Sequence, residues 1–339
     1  MKTIRLGRTE LMVTKTAFGA LPIQRISKEA AAKLVRRAYE GGINYFDTAN
    51  MYTDSEEKLS AALMDVREQV IISTKSAATD KKGAMAHIEQ SLRHLGYIDL
   101  FQFHNPAQLP DINDPDGAFA AALEMKERGY IRHIGITNHR HHIARAAIES
   151  GNFETLQFPF CYLATDVDLE LVELCKKADM GFIAMKGLSG GLLNNAAACH
   201  AFMGQYENVV PIWGVQREEE LDPWLALANS DVTMTPELQA VIEKDRKELA
   251  GSFCRGCGYC MPYPAGIEIN NSARMNMLLR RAPYQSYLTD EWREKMHRIE
   301  NCVHCDSCKS RCPYGLDTPA LLQYMLKDYD EFYAQHHND

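Results

Sequence analysis

The chain has 339 residues, 46% hydrophobic and 24% charged, enough to bury a large core and leave residues for a smaller domain. A formal net charge of −8 without any basic block argues against a nucleic-acid partner. The first residues lack the apolar stretch of a secretory signal, and no run approaches the ~18 apolar residues of a membrane span, so a cytoplasmic location without a membrane partner is expected.

Residues 1–13 read as a short hairpin turning at Gly7-Arg8-Thr9-Glu10. Apolar runs then alternate with helical segments. The runs at 16–20, 44–48, 70–75, 100–104, 133–137, 155–160, 181–186 and 208–215 are nearly continuous in apolar residues, the mark of parallel strands covered on both faces. Between them, Ala31, Leu34, Val35 and Ala38 keep helical spacing before a stop at Gly41-Gly42, and Ile88, Leu92 and Leu95 precede Gly96. Thr53-Asp54-Ser55-Glu56 has the form of a capping box. Eight strand–helix alternations in about two hundred residues predict an α/β fold, a (β/α)8 TIM barrel. A doubly wound sheet is the alternative, and no G-x-G-x-x-G after the first strand supports it. The pattern changes after Asn229, and domains at 1–250 and 251–339 are expected, the second mostly helical with helices at 270–281 and 289–300.

Four polar residues lie at or just beyond the ends of three successive strands: Asp47, Tyr52, Lys75 and His104. A barrel builds an active site at this end. A carbonyl reduced by hydride becomes an alkoxide and needs a proton as it forms. Tyr52 can supply it if its pKa of ~10 is brought down by a nearby cation such as Lys75. Asp47 would hold Lys75 charged, and His104 would orient the carbonyl oxygen. Each residue alone is more simply a cap or a packed polar group; together, in this register, they point to proton transfer.

Over residues 3–229 the chain resembles the aldo-keto reductases, in Asp-Thr-Ala-Asn-Met-Tyr at 47–52, Ser55-Glu56, Ser-Thr-Lys ending at 75, and Leu-Phe-Gln-Phe-His ending at 104. The resemblance implies a barrel, the tetrad Asp47, Tyr52, Lys75 and His104, and NADP or NAD bound without a Rossmann domain. It carries cofactor contacts onto Gly19, Ala20, Thr137, Asn138, Gln157, Met185, Lys186, Leu188, Gly190, Gly191, Gly214, Gln216 and Arg217. Met185 stands where the family commonly has an aromatic, and a thioether can also lie on a flat ring. The glycines at 187–191 follow the seventh strand, where barrels often bind phosphate. Arg217 suits a 2′-phosphate and leans the reading toward NADP; Glu218-Glu219-Glu220 beside it weighs against it. Loops at 105–115, 162–166 and 193–205 are the expected substrate wall, and a small-molecule carbonyl or alcohol the expected partner.

Of ten cysteines, Cys161, Cys175 and Cys199 are isolated and read as packing residues, while seven lie between 254 and 312. Such clustering in a cytosolic chain points to metal rather than disulfides. Cys302, Cys305, Cys308 and Cys312 match C-x2-C-x2-C-x3-C-P, an iron–sulfur signature; zinc more often uses separated pairs. By the crossing rule of two-cluster ferredoxins, Cys254, Cys257, Cys260 and Cys312 would hold one [4Fe-4S] cluster. Cys302, Cys305 and Cys308 would then hold a second and lack a fourth thiolate. The region resembles the ferredoxin-like tail of a subset of aldo-keto reductases, which has Cys-Met-Pro-Cys-Pro where this chain has Tyr263. The second site is open to a [3Fe-4S] cluster, to a [4Fe-4S] cluster completed by water, tyrosinate or a small molecule, or to none.

The run Asn138-His139-Arg140-His141-His142 reads as a solvated or cofactor-edge segment rather than a metal site, and His336-His337 as a frayed tail. The expected activity is carbonyl–alcohol oxidoreduction with Tyr52 as acid/base. Rival readings are a redox enzyme exchanging electrons with a ferredoxin or flavoprotein through its clusters, an open cluster iron binding substrate, and a redox-sensing nicotinamide-binding module.

Overall fold

A computed structural model describes all residues except 231, 250–252, 282, 283, 338 and 339; the expected domain boundary at 250/251 lies outside the described residues. The described residues group into two compact units, one of residues 1–187 and 196–239, the other of 188–195 and 240–339.

The first unit opens with a hairpin of β1 (Thr3–Arg5) and β2 (Met12–Thr14), antiparallel and turning where the sequence places the turn. Eight strands follow: β3 (Ala17–Gly19), β4 (Tyr45–Asp47), β5 (Ile71–Ser76), β6 (Ile98–His104), β7 (Ile131–Thr137), β8 (Thr155–Pro159), β9 (Gly181–Met185) and β10 (Val209–Gly214). They form a closed barrel in chain order, β10 returning to β3, with every neighbouring pair parallel. Helices α1 (Lys28–Glu40), α2 (Ser55–Leu63), α3 (Lys81–Leu95), α4 (Ala118–Glu127), α5 (His141–Ser150), α6 (Asp166–Lys177), α7 (Ala196–Gly204) and α8 (Glu218–Ala228) follow the successive strands. The expected TIM barrel is therefore present.

The local causes are legible in α1. Ser27 Oγ accepts the Ala30 N–H at 3.2 Å, and Ala31, Leu34, Val35 and Ala38 form the buried stripe. Beneath the barrel, Leu6, Leu11 and Val13 of the hairpin join Tyr45, Leu100, Ile183 and Val210 in one apolar cluster, so the hairpin plugs that end. Each fully buried aliphatic side chain there contributes roughly 2 kcal/mol. Gly7 is required at the turn: its φ is +53°, and an added Cβ would stand 2.2 Å from Gly181 N.

The capping box expected at 53–56 does not form. The helix starts at Ser55, and Asp54 makes no cap but pairs with Lys58 at 2.8 Å. Glu56 cannot reach back because its Oε1 accepts Thr74 Oγ1 at 2.5 Å and Ser91 Oγ at 2.6 Å in the interior.

The second unit is helical. It includes α10 (Ile269–Ser272), α11 (Met275–Arg281), α12 (Asp290–His297), α13 (Ser307–Ser310) and the long α14 (Thr318–His336), while α9 (Pro236–Glu248) runs into it from residue 236. Met275, Leu278, Leu279, Met296, Ile299, Leu322, Met325 and Tyr329 are its buried core, and the Tyr329 hydroxyl donates to the Tyr287 carbonyl at 2.8 Å. His336 is not a frayed tail: it ends α14 with its ring 4.3 Å from Phe332 and 5.6 Å from Tyr284. No helix of the described residues is long and apolar enough to cross a membrane.

Candidate active site

Strand register brings the four strand-end residues together. Asp47 lies beside Ser73, Lys75 beside Gln102, and His104 beside Thr137, all toward the C-terminal ends of β4 to β7. The segment after β4 is pinned by its backbone: Thr48 N donates to Ser73 O at 2.9 Å, Asn50 N to Lys75 O at 3.0 Å, and Tyr52 N to Ala49 O at 3.0 Å. These bonds carry Tyr52 back over Lys75.

Lys75 Nζ donates to Asp47 Oδ2 at 2.6 Å and to the Thr48 carbonyl at 2.5 Å. The same ammonium lies 5.2 Å from the centre of the Tyr52 ring, and Tyr52 meets His104 edge-on at 5.7 Å. Burial lowers the Lys75 pKa, while Asp47 and then Glu56 raise it. Burial, reinforced by Lys75, pushes His104 down to about 3, so its imidazole is neutral near pH 7.

Three interior residues extend the set beyond what the sequence reading found. Asp47 Oδ1 accepts Ser73 Oγ at 2.6 Å and Gln102 Nε2 at 3.3 Å; Asp47 Oδ2 also accepts Gln157 Nε2 at 3.3 Å, and Gln102 Nε2 donates to Gln157 Oε1 at 2.8 Å. Glu56 is the third, held by Thr74 and Ser91. A signal for two of them exists in the sequence. Ser73 precedes Lys75 by two, and Gln102 precedes His104 by two, so each pair shares one face of its strand.

The residues expected to touch a cofactor divide. Gly19 ends β3 and Ala20 follows it, its N–H donating to Asp47 O at 2.8 Å. Thr137, Gln157, Met185 and Gly214 lie on the C-terminal halves of β7, β8, β9 and β10, with Lys186 just past β9 at φ +59°. Gln157 is turned to Asp47 and Gln102 inside the barrel. Asn138 is wholly buried: its Nδ2 donates to Pro106 O at 2.9 Å, and its Oδ1 accepts the N–H groups of His139 at 3.0 Å and Arg140 at 2.9 Å. Gln216 N donates to Glu220 Oε2 at 2.8 Å, and Arg217 Nη2 pairs with Glu220 Oε1 at 2.7 Å, so the acidic run answers the arginine directly. Leu188, Gly190 and Gly191 belong to the segment that groups with the second unit. There Arg274 Nη1 donates to Gly190 O at 2.7 Å, Gly190 and Gly191 have φ of +70° and +93°, and buried Ser189 Oγ has no hydrogen-bond partner among the described residues. Open glycine backbone beside an unsatisfied hydroxyl fits a polar, anionic ligand group.

The histidine run is not a solvated segment throughout. His139 is 2% exposed and held well below the usual histidine range by burial, then by Lys186, His104 and Arg140. His141 Nε2 lies 2.8 Å from Asp168 Oδ1. Cys161, Cys175 and Cys199 are buried.

In the second unit the clustered thiols are electrostatic neighbours of one another. Cys254 has Cys257 and Cys312 as electrostatic neighbours, and Cys260 has Cys254, Cys257 and Cys308. Cys308 has Cys302 and Cys305. Among the described residues no three His, Cys, Asp or Glu side chains converge as around a single ion; a four-iron cluster holds its thiolates further apart. The donor set, soft sulfur with little competing nitrogen or carboxylate, fits iron–sulfur chemistry.

The aldo/keto reductase family model matches residues 15–241, and a 4Fe-4S dicluster domain matches residues 253–317. Among curated relatives, the uncharacterized oxidoreductase YqkF of Bacillus subtilis is 25% identical over 209 residues, covering 57% of this chain and 67% of its own length. An NADH-specific methylglyoxal reductase of Escherichia coli is 26% identical, covering 57% of this chain and 69% of its own length. Among solved structures, an aldo-keto reductase from Bacillus halodurans superposes with a TM-score of 0.63 at 21% identity, covering 72% of this chain and 96% of its own. One from Klebsiella pneumoniae in complex with NADPH gives 0.62 at 20%, covering 72% and 94%. At those identities the structural likeness speaks for the fold.

Proposed function

Because the chain belongs to the aldo/keto reductase family, we propose that it interconverts a small-molecule carbonyl and its alcohol, with Tyr52 as general acid and base. The observation that carries the reading is the dry Asp47–Lys75 ion pair beneath the Tyr52 ring with the neutral His104 edge against it. A bound nicotinamide supplies or receives the hydride. Tyr52 gives its phenolic proton to the carbonyl oxygen as the alkoxide forms. The Lys75 ammonium stabilises the phenolate left behind, Asp47 keeps that ammonium in place, and His104 N–H orients the carbonyl oxygen. NADP(H) is the preferred cofactor, supported by Arg217, although Glu220 pairs with that arginine.

Gly19, Ala20, Thr137, Asn138, Gln157, Met185, Lys186, Leu188, Gly190, Gly191, Gly214, Gln216 and Arg217 are the proposed cofactor contacts. Gln157 would have to leave Asp47 to reach a carboxamide. Residues 251–339 carry the clusters, one on Cys254, Cys257, Cys260 and Cys312 and a second on Cys302, Cys305 and Cys308. The test is direct. With NADPH or NADH and a panel of aldehydes and ketones, the full chain turns over and Tyr52→Phe loses ~10²-fold or more in kcat, the scale of a lost general acid. Wild-type and Tyr52→Phe chains with equal rates would refute it.

A further inference from the structure

We propose that the phenol oxygen of Tyr263 is the fourth ligand of the second cluster, completing the set begun by Cys302, Cys305 and Cys308; this rests on the two-cluster reading above. The Tyr263 ring is 6% exposed, so its position is fixed by packing. Its Oη lies 3.7 Å from Cys302 Sγ and 3.7 Å from Cys305 Sγ, and it accepts the Val303 N–H at 3.3 Å. One oxygen thus faces two of the three thiols while a backbone donor stands ready for negative charge on it.

The other thiols in that segment are poorer candidates. By the crossed pairing, Cys254, Cys257, Cys260 and Cys312 already give the first set four thiols. The chemistry balances without a redox partner. The phenol O–H bond breaks, its proton leaves to solvent, and the oxygen lone pair forms a bond to the iron that lacks a thiolate. No iron changes oxidation state. A phenolate is a harder ligand than thiolate, and it distinguishes this iron from the other three.

Full-length protein reconstituted anaerobically with ferrous iron and sulfide provides the test, with iron counting, resonance Raman on protein carrying ring-deuterated tyrosine, and electron paramagnetic resonance after mild oxidation. Wild type is expected to hold about eight irons, two four-iron clusters, and to show label-sensitive phenolate vibrations that vanish in Tyr263→Phe. Tyr263→Phe is expected to lose one iron on mild oxidation and show a three-iron signal that wild type and Tyr263→Cys lack. A wild-type chain holding both clusters without any label-sensitive mode would overturn the ligand and leave the clusters standing. About four irons in both wild type and Tyr263→Cys would overturn the two-cluster reading itself, and the ligand with it. The labelled wild-type measurement needs no variant to fold.

Discussion

Lys75 Nζ sits 2.6 Å from Asp47 Oδ2, with side-chain exposures of 1% and 3%. Two charges this dry cost several kcal/mol each to desolvate, and they persist because each finds further partners: the Thr48 carbonyl for the ammonium, and Ser73, Gln102 and Gln157 for the carboxylate. Asp47→Asn removes one charge and leaves the other buried. We expect a stability loss of about 3 kcal/mol and a kcat fall approaching that of Tyr52→Phe, read by denaturant melts and steady-state kinetics. Full stability together with full turnover would show that the pair is idle.

Gln102 offers a finer probe. Gln102→Leu deletes one of four side-chain donors to Asp47 and removes the buried Gln102 Oε1, which has no hydrogen-bond partner among the described residues. Stability should fall by about 2 kcal/mol, because the bonds to Asp47 and to Gln157 Oε1 are both lost and only the Gln102 acceptor is relieved. With Asp47 less firmly held, the alkaline limb of the pH–rate profile should move upward. A profile superimposable on wild type would exclude Gln102 from positioning.

His104 makes a prediction about acid. With its pKa down at about 3, the imidazole stays neutral across neutral pH and gains no proton there to alter turnover. Carbonyl reduction should therefore show no limb from His104 between pH 5 and 8. Ring NMR resonances of His104 that titrate near 6.5 would contradict this.

Acid stability should track Glu154. Burial alone would raise its pKa, but His133, the Ile134 N–H and Lys126 hold it at about 2 against an ordinary 4.5. A depressed carboxylate stabilises fully above the ordinary value and loses that contribution as pH falls toward the folded one. For a half-buried group this is about 2 kcal/mol, lost between roughly pH 4.5 and 2. Glu154→Gln should flatten the denaturation midpoint in that window relative to wild type.

Removing a ligand should separate the clusters. Cys312→Ser strips one thiolate from the set with Cys254, Cys257 and Cys260, and should cost about four irons while the Cys302 set keeps its own. Loss of iron from both sites would mean that the thiols are shared differently.

Much of this molecule is written locally. Continuous apolar runs, with helical stripes such as Ala31, Leu34, Val35 and Ala38 between them, leave few alternatives to a parallel barrel. Strand alternation then puts Asp47, Lys75 and His104 at one end. The cysteine spacing carries iron–sulfur chemistry in the same local way, because three thiols two residues apart can meet one cluster wherever the segment lies. What failed was local pattern without its surroundings. Thr53-Asp54-Ser55-Glu56 has every residue of a capping box, yet Glu56 has better partners in Thr74 and Ser91, distant in sequence and brought near only when α2 and α3 pack on the barrel.

The sequence by itself determined the barrel, the placing of Asp47, Tyr52, Lys75 and His104 at its strand ends, and the seven clustered cysteines, since each depends on spacing along one strand, helix or short segment. Only the tertiary structure decided that Asp47 is shared among Ser73, Lys75, Gln102 and Gln157, that the Gly190 loop is tied to Arg274, and that the Tyr263 hydroxyl faces Cys302 and Cys305. Those are contacts between residues tens of positions apart. Hydrogen bonds and ion pairs act over a few ångströms in space, and no spacing within a single segment encodes which distant side chain folding will bring there.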